Sequence, residues 1–362
     1  MSKPRVLIGL SGGVDSSVAA ALLVENGCDV VGITLKLYDK DTVGFEPKGD
    51  ACCSLNMVED ARSICAKLGI PHYVVDLKKQ FEKIVIGDFV EQYRLGRTPN
   101  PCINCNRFIK WGEMLKTADV LECQFIATGH YARINREDGS ARLLKAKDDS
   151  KDQSYALWGI RREYLEKTLL PNGDFTKFEI REKARQLGFR NAERAESQEI
   201  CFVPDGHYSN LLKFKGGGSD SIKSGPIFDN SGRQIGTHKG YAHYTIGQRR
   251  GLGISAPRPL YVTRINAQEN SIVVGEEDDL SATRFSVIGI NYLTDPAKMP
   301  ADVMVKIRYK HQESSASIEI ISENEIQVFY NSPQRAITPG QSAVFYDGDQ
   351  VLCGGIIDRI IN

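Results

Sequence analysis

Hydrophobic and polar positions in the N-terminal half of the chain alternate between strand-like runs and helical stripes. The apolar runs are short and rich in β-branched residues, whereas the stripes between them repeat at helical spacing. The predicted strands span 6–10, 29–37, 73–75 and 124–128, and the predicted helices span 18–26, 55–68, 81–93 and 108–121. This alternation predicts an α/β fold with a doubly wound parallel sheet that binds ligands at the carboxyl ends of its strands.

From about residue 200 the pattern changes to short β-branched runs separated by dense glycine. The later runs, at 303–309, 315–321, 326–330 and 343–346, have the spacing of a small antiparallel barrel. A boundary is predicted near 279–285. We therefore divide the chain into a catalytic α/β domain at 1–203, a small central β-rich domain at 204–282 and a C-terminal β-barrel at 283–362.

Composition and charge narrow the class of protein. The chain has 362 residues, enough for two or three domains, and 46 basic residues balance 46 acidic ones. Any nucleic-acid surface must therefore be local. No apolar run approaches the roughly 18 residues of a membrane span, and the N-terminus leads into a strand without a signal-peptide pattern. We expect a cytoplasmic protein with no membrane partner.

A glycine-containing turn between the first predicted strand and helix has the chemistry of a phosphate site. It reads Ser11-Gly12-Gly13-Val14-Asp15-Ser16-Ser17. Adjacent glycines let the backbone approach an anion, and a helix N-terminus attracts negative charge. The turn lacks the lysine of a Walker loop. The serine hydroxyls are expected to donate to phosphate oxygens, and Asp15 to cap the helix or help hold Mg²⁺; the alternative is an ordinary helix start after a turn.

The nine cysteines fall into two groups. Cys28, Cys65, Cys123 and Cys353 are isolated in apolar runs, where a thiol behaves as a small buried hydrophobe. The remaining cysteines are Cys52, Cys53, Cys102, Cys105 and Cys201. In a chain without an export signal, clustered thiols indicate chemistry or metal more often than structural disulfides.

Cys102 and Cys105 follow a glycine and two prolines, so they are expected on a loop. Their spacing is compatible with a redox dithiol, half of a metal site or a nucleophile with a neighbour. Cys52 and Cys53 are adjacent and poorly spaced for a tetrahedral zinc site, and they receive no role. Cys201 is expected at the start of a short apolar strand, where it would by itself be interpreted as core.

The phosphate loop resembles the pyrophosphate loop of the PP-loop ATP pyrophosphatases, and nearly the whole chain resembles one family among them, the bacterial tRNA-specific 2-thiouridylases. The resemblance rests on the segments 9–16, 96–101, 105–106, 109–110, 127–132, 151–155, 197–202, 244–249 and 338–342. It implies a Rossmann-like adenine nucleotide alpha hydrolase domain. It also implies ATP-dependent thiolation of the wobble uridine of tRNA, with AMP first transferred to the uridine oxygen and pyrophosphate released.

The resemblance also implies site residues. Cys201 would carry a persulfide received from a sulfur donor such as a cysteine desulfurase or a sulfur-relay protein, and Cys105 would be the partner nucleophile. The target base would contact Asn100, Pro101 and Cys102. The ATP pocket would comprise Gly9, Leu10, Ser11, Gly12, Gly13, Val14, Asp15, Ser16, Leu35 and Gly129. The tRNA surface would comprise His130, Lys151, Asp152, Gln153, Arg308, Tyr309 and Gln341.

One position departs from the family pattern. Many members carry Asp where Cys102 stands, so the acid or base role of that carboxylate near the target uridine does not carry over to this chain. Cys102, Cys105 and Cys201 together would be able to ligate a [4Fe–4S] cluster with one open iron, which is the alternative to persulfide chemistry.

Two further hypotheses fit the phosphate loop without reactive cysteines. A GMP synthetase or a tRNA lysidine synthetase would use the same loop for a different transfer, and a nucleotide-gated RNA-binding module would use it without turnover. The first hypothesis predicts that activity survives replacement of Cys105 and Cys201 by Ser. The second predicts that no AMP or pyrophosphate is released with tRNA.

Overall fold

The computed structural model describes residues 3–45, 55–194, 200–203, 208–216 and 222–361. The strands are β1 (Arg5–Gly9), β2 (Asp29–Lys36), β3 (His72–Asp76), β4 (Phe125–Ala127), β5 (Arg133–Asn135), β6 (Arg142–Leu144), β7 (Thr168–Leu169), β8 (Gly225–Phe228), β9 (Gln234–His238), β10 (Tyr261–Asn266), β11 (Ser271–Gly275), β12 (Ser281–Tyr292), β13 (Asp302–Lys306), β14 (Ser314–Ser322), β15 (Glu325–Arg335), β16 (Ser342–Asp347) and β17 (Gln350–Ile360).

The α-helices are α1 (Val14–Glu25), α2 (Lys40–Val43), α3 (Leu55–Leu68), α4 (Lys78–Phe81), α5 (Gly87–Arg94), α6 (Pro101–Asn104), α7 (Met114–Val120), α8 (Ser154–Leu157), α9 (Arg162–Leu165), α10 (Lys177–Gln186) and α11 (Tyr208–Gly216). Two π-helical segments, Glu82–Ile86 and Cys105–Glu113, join α4 to α5 and α6 to α7. The predicted helix at 81–93 therefore lies within a helical run at 78–94, and the predicted helix at 108–121 is the C-terminal part of a run at 101–120.

The N-terminal domain is built on a five-stranded parallel sheet with strand order β3-β2-β1-β4-β7. Both faces of β1 are buried. Val6 and Ile8 pack with α1 and α3, whereas Leu7 points to the opposite face and packs with α7. A strand covered on both faces reads as a continuous apolar run. The predicted doubly wound α/β sheet is confirmed.

The C-terminal barrel has six strands in the cyclic order β12-β15-β14-β13-β16-β17, and β12 closes the ring by pairing with β17. All of its pairings are antiparallel, as the spacing of the short strands predicted. The hairpin β5–β6 of the N-terminal domain extends this sheet, because Leu144 pairs with Gln350. The sequence pattern did not predict that extension.

Buried side chains as well as surface contacts join the α/β domain to the barrel. Trp158 is 1% exposed, and its Nε1 donates to Ser342 Oγ of the barrel at 2.9 Å. Tyr155 is fully buried and donates its hydroxyl to the Ser342 carbonyl at 3.0 Å. Buried polar tips need such partners. These contacts hold the barrel against the α/β domain along its buried face.

A four-stranded sheet with strand order β10-β11-β8-β9 forms the centre of the middle region. Helix α11 precedes this sheet, yet Leu211 and Leu212 pack into an apolar cluster with Phe89 and Phe202 of the α/β domain. We call this cluster the thiol-side cluster.

Within the described residues no helix is long and apolar enough to cross a membrane. Cys52, Cys53 and 197–199 lie outside the described residues.

Candidate active site

The loop between β1 and α1 presents a helix N-terminus without a side-chain cap. Gly13 is the N-cap residue, and because glycine has no side chain it makes no capping bond to the first N–H groups of the helix. The first N–H groups of α1 therefore face outward at the carboxyl edge of the sheet, as an anion site requires. Gly12 has φ +73°, and an added Cβ there would stand 2.5 Å from the Met57 carbonyl oxygen. Glycine is required at this position.

The serines of the loop divide into structural and available groups. Ser17 is 1% exposed, donates its hydroxyl to the Gly13 carbonyl at 2.9 Å and lies 3.0 Å from Asn191 Nδ2. In this structure the Ser17 hydroxyl therefore supports the loop, and its phosphate contact stays a prediction. Ser16 Oγ also bonds the Gly13 carbonyl, at 3.1 Å, and Ser11 Oγ lies 3.3 Å from Ser16 Oγ at the exposed end of the loop. Ser11 is the serine best placed to meet a ligand.

Asp15 does not cap α1, because it lies inside the first turn and its carboxylate faces α10. Lys177 Nζ pairs with Asp15 Oδ1 at 2.6 Å, and the Tyr131 hydroxyl donates to the same oxygen at 2.7 Å. The Lys177 side chain is only 10% exposed. The phosphate loop that lacks its own lysine thus receives a buried ammonium from a helix far along the chain.

Gly129, two residues after the end of β4, touches the phosphate loop. A Cβ at Gly129 would stand 2.6 Å from the Ser16 amide nitrogen and 2.7 Å from the Asp15 carbonyl carbon. Asn172 Nδ2 donates to the Asp15 carbonyl at 2.9 Å and to the Gly129 carbonyl at 3.0 Å, which ties the two segments together. Close backbone approach therefore accounts for glycine here.

The remaining predicted ATP residues surround the same edge of the sheet. Gly9 ends β1, and the Leu10 amide donates to the Ile33 carbonyl at 2.7 Å. Val14 is buried in the first turn of α1. Leu35, near the end of β2, packs against the main core and against the thiol-side cluster. The structure therefore brings the ten predicted residues to one end of the sheet.

A polar chain links this edge to the helix that carries the thiols. Lys110 Nζ lies 3.2 Å from His130 Nε2, and His130 Nδ1 lies 2.7 Å from Thr128 Oγ1. An ammonium only donates, so Nε2 accepts and the ring proton is on Nδ1, which donates to Thr128. Burial, and then the charge of Lys110, hold the pKa of His130 well below its usual 6.5.

We expect His130 to remain neutral when the pH is lowered through 6.5. The pKa of His130 is lower in the folded protein than in the unfolded chain. Below pH 6.5 the unfolded chain therefore binds a proton that the folded protein does not bind, and the contribution of His130 to the free energy of unfolding falls as the pH falls. Histidine NMR titration of the protein, with Lys110→Gln as comparison, measures the midpoint. The variant should titrate at higher pH; a wild-type midpoint at or above 6.5 would contradict the prediction.

Cys102 and Cys105 lie on a helix, so the predicted loop placement is wrong. Asn100 is the N-cap residue and its Oδ1 accepts from the Cys102 amide at 3.1 Å, while Pro101 occupies the first turn. Proline in that position starts helices rather than breaking them. Cys102 is exposed in α6, and Cys105 begins the following π-helical segment, where it is half-buried.

Cys201 lies in a turn and not at the start of a strand, which corrects a second prediction. The Tyr38 hydroxyl donates to the Cys201 carbonyl oxygen and holds this turn from across the domain. Cys105 and Cys201 are both half-buried, and both pack against the thiol-side cluster. The structure thus brings the predicted persulfide carrier, Cys201, and its predicted partner nucleophile, Cys105, to one apolar surface, with Leu35 on its border.

The three cysteines do not form a metal centre in this arrangement. No group of three or more His, Cys, Asp or Glu side chains among the described residues, which include all three, is placed to hold a metal ion. Cys102 is exposed, whereas the other two thiols face the apolar cluster. The donor set therefore does not fit a cluster with three thiolate ligands.

The predicted tRNA residues have mixed environments. Asp152 is 7% exposed and accepts from the Ala146 and Ser154 amides at 3.0 and 3.1 Å, so it is a structural carboxylate. Gln153 Oε1 accepts from the Tyr131 amide at 2.9 Å, and Gln341 Nε2 donates to the Thr98 carbonyl at 2.7 Å. Lys151 is half-buried in the turn before α8.

Arg308 and Tyr309 lie in the turn after β13. Arg308 Nη2 donates to the Ile246 carbonyl at 3.1 Å and to the Ala336 carbonyl at 2.8 Å, so it joins the middle region to the barrel. Tyr309 is 41% exposed, and Lys306 Nζ lies 6.0 Å from its ring centroid. Tyr309 is therefore the member of this pair that offers a stacking face.

Sequence reasoning missed Lys177, Asn172 and Asn191. A local signal marks the start of α10, because Thr176 and Glu179 form a capping box that is readable as T-x-x-E. That signal gives the helix but not the role of Lys177, whose partner Asp15 is 162 positions away.

Comparisons with known proteins cover the whole chain. Family models described as the HUP domain of a tRNA methyl transferase, its PRC-barrel domain and an aminomethyltransferase β-barrel domain match residues 4–205, 220–276 and 282–357. The tRNA-specific 2-thiouridylase MnmA of Acetivibrio thermocellus is 46% identical, covering 99% of this chain and 100% of the relative. Proteins of the same name from Halothermothrix orenii and Clostridium botulinum are 47% identical (98% of each chain) and 45% identical (100% and 99%).

Proposed function

Because the chain belongs to the tRNA-specific 2-thiouridylase family, we propose that it is a sulfurtransferase that replaces the C2 oxygen of the wobble uridine of tRNA by sulfur at the expense of ATP. One observation carries the proposal. An uncapped helix N-terminus with a buried lysine stands at the sheet edge, and Cys105 and Cys201 pack on one apolar cluster that borders the same edge.

The first step is adenylation of the uridine. The C2 oxygen attacks the α-phosphorus of ATP, the bond to the β-phosphate breaks, and pyrophosphate leaves. The phosphate loop would bind the leaving pyrophosphate through the N–H groups of α1 and the Ser11 hydroxyl. An oxygen bonded to AMP is a far better leaving group than a carbonyl oxygen, so C2 becomes open to a nucleophile.

Lys177 would supply the positive charge that this loop lacks. In the structure its ammonium neutralises Asp15 at 2.6 Å. A triphosphate entering the loop would compete for the same ammonium, and Asp15 would then be available as a single carboxylate ligand. Mg²⁺ bound to nucleotide phosphates usually takes one or two protein carboxylates and keeps several waters, so Asp15 fits that role.

The second step is sulfur transfer. The terminal sulfur of a persulfide on Cys201 attacks C2, the bond from C2 to the adenylate oxygen breaks, and AMP leaves. The Cys105 thiolate then attacks Cys201 Sγ and breaks the sulfur–sulfur bond, which leaves 2-thiouridine and a Cys105–Cys201 disulfide. A cellular dithiol reduces the disulfide, and a cysteine desulfurase or sulfur-relay protein reloads Cys201.

The target base would be held by Asn100, Pro101 and Cys102 at the start of the helical run 101–120, which we call the thiol helix. Cys102 is exposed there, and Cys105 lies one helical turn further on. Since Cys102 replaces the family's aspartate, we assign it to base contact and not to proton transfer. An anticodon loop is single-stranded and is able to present an unstacked base to such a site.

The tRNA surface would run from His130 and 151–153 across the turn of Arg308 and Tyr309 to Gln341. Tyr309 would stack on a base, and Lys151 would contact phosphate. Arg308, Asp152 and Gln341 already bond protein atoms, so they would support this surface more than they bind RNA.

The test is single-turnover thiolation by anaerobically purified protein with ATP, Mg²⁺, a wobble-uridine tRNA, and a cysteine desulfurase with cysteine. Wild type is compared with Cys102→Ala, and bound iron is assayed. Thiolation by iron-free protein that tolerates Cys102→Ala supports the proposal. Thiolation that tracks iron and disappears in Cys102→Ala would replace the persulfide route by a [4Fe–4S] cluster. ATP cleavage without thiolation would favour another AMP-forming enzyme of the PP-loop class.

A further inference from the structure

We propose that the C-terminal barrel positions the thiol helix, through a clamp made by Arg97 and Thr98 with Asp358 and the barrel turn 339–341. The inference rests on the proposed function, because it assigns the clamp to the helix that would hold the target base and Cys105. It assigns to the barrel the alignment of the reacting groups, in addition to contact with RNA.

Both backbone polar groups of Thr98 form hydrogen bonds with the barrel turn. The Thr98 amide donates to the Pro339 carbonyl at 3.0 Å, and the Thr98 carbonyl accepts from Gln341 Nε2 at 2.7 Å. Thr98 Oγ1 lies 3.4 Å from Thr245 Oγ1 of the middle region. All three regions of the chain therefore meet at one residue.

An ion pair beside Thr98 is partly shielded from solvent. Arg97 Nη2 lies 2.7 Å from Asp358 Oδ1, and the two side chains are 28% and 18% exposed. Gly340 has φ +91°, and a Cβ there would stand 2.9 Å from the Thr98 amide nitrogen. The barrel turn is thus in direct backbone contact with the segment that it clamps.

The clamp ends at Thr98, two residues before the N-cap residue Asn100. Asn100 caps the helix through the Cys102 amide at 3.1 Å, so any shift of Thr98 is passed to the cap and to Cys102. Reacting groups displaced by about 1 Å lose on the order of 100-fold in rate, because the near-attack geometry is lost. Arg97 and Asp358 are therefore assigned as positioning residues, because they would act on the base-binding residues and Cys105 through Thr98 and the Asn100 cap.

The experiment compares Asp358→Asn and the charge-swapped pair Arg97→Asp with Asp358→Arg. The control is Glu276→Gln, which breaks the exposed pair of Arg258 and Glu276 at 3.1 Å. We expect Asp358→Asn to slow single-turnover thiolation about 10-fold, with the dissociation constants for ATP and tRNA within about 2-fold of wild type. The charge-swapped protein should recover part of that loss, and Glu276→Gln should behave as wild type.

Hydrogen exchange separates positioning from general destabilisation. In Asp358→Asn, the amides of Thr98, Asn100 and 102–105 should exchange faster and iodoacetamide should alkylate Cys102 at a changed rate, while the barrel strands keep wild-type protection. Faster exchange throughout the barrel, or unchanged exchange and thiolation, would overturn the inference. Both readouts need no turnover, so they test the clamp even if wild-type protein forms no thiouridine, which would instead refute the proposed function.

Discussion

Cys201→Ser is expected to abolish thiolation of tRNA while AMP and pyrophosphate are still released in a tRNA-dependent reaction. A serine hydroxyl cannot form a persulfide, so the nucleophile of the second step is lost, and we expect the thiolation rate to fall at least about 1000-fold. The proposed adenylation step would use the phosphate loop, whereas the contacts of Cys201 lie in the thiol-side cluster. Thiouridine formed and AMP released are measured in the same single-turnover mixture.

Cys28→Ser is the matched control for that variant. Cys28 is a half-buried cysteine just before β2, at the end of the sheet opposite the phosphate loop. It should thiolate at the wild-type rate. Loss of tRNA binding or of AMP release in Cys201→Ser would mean that Cys201 has been assigned the wrong role, and thiolation by Cys201→Ser would refute the persulfide step.

The parallel sheet and the barrel were readable from the sequence because both are built on local periodicity. Val6, Leu7 and Ile8 are fully buried on two faces, and such a run appears in the sequence as unbroken apolar residues. The hairpin β5–β6 was missed because its strands have three residues each, fewer than a repeat of two needs to become visible.

The local placement of the thiols failed for a different reason. The prolines before Cys102 were interpreted as loop formers, although Asn100 followed by Pro101 is also the signature of a helix N-terminus. The turn at Cys201 depends on Tyr38, and the charge in the phosphate loop depends on Lys177. Both partners are more than 150 positions away along the chain, so no spacing rule reaches them.

The close packing of Gly129 against the phosphate loop has the second large consequence. In Gly129→Ala the added methyl carbon would stand 2.6 Å from the Ser16 amide nitrogen, an atom of the helix backbone that has no flexible side chain to move aside. Either β4 or the loop must shift, and the bonds of Asn172 to both segments would be strained. We expect tRNA-dependent ATP cleavage to fall at least about 100-fold, since the phosphate-binding N–H groups would be displaced.

Gly112→Ala is the control for that substitution, because the nearest atom to an added Cβ there is the Arg107 carbonyl oxygen at an ordinary 3.8 Å. It should cleave ATP at the wild-type rate, and alanine is the better helix former. ATP affinity, ATP cleavage and the melting temperature are measured for both variants. A Gly129→Ala protein that melts near wild type but binds ATP weakly places the loss in the phosphate loop, whereas wild-type ATP affinity and cleavage would mean that nucleotide does not bind against Gly129.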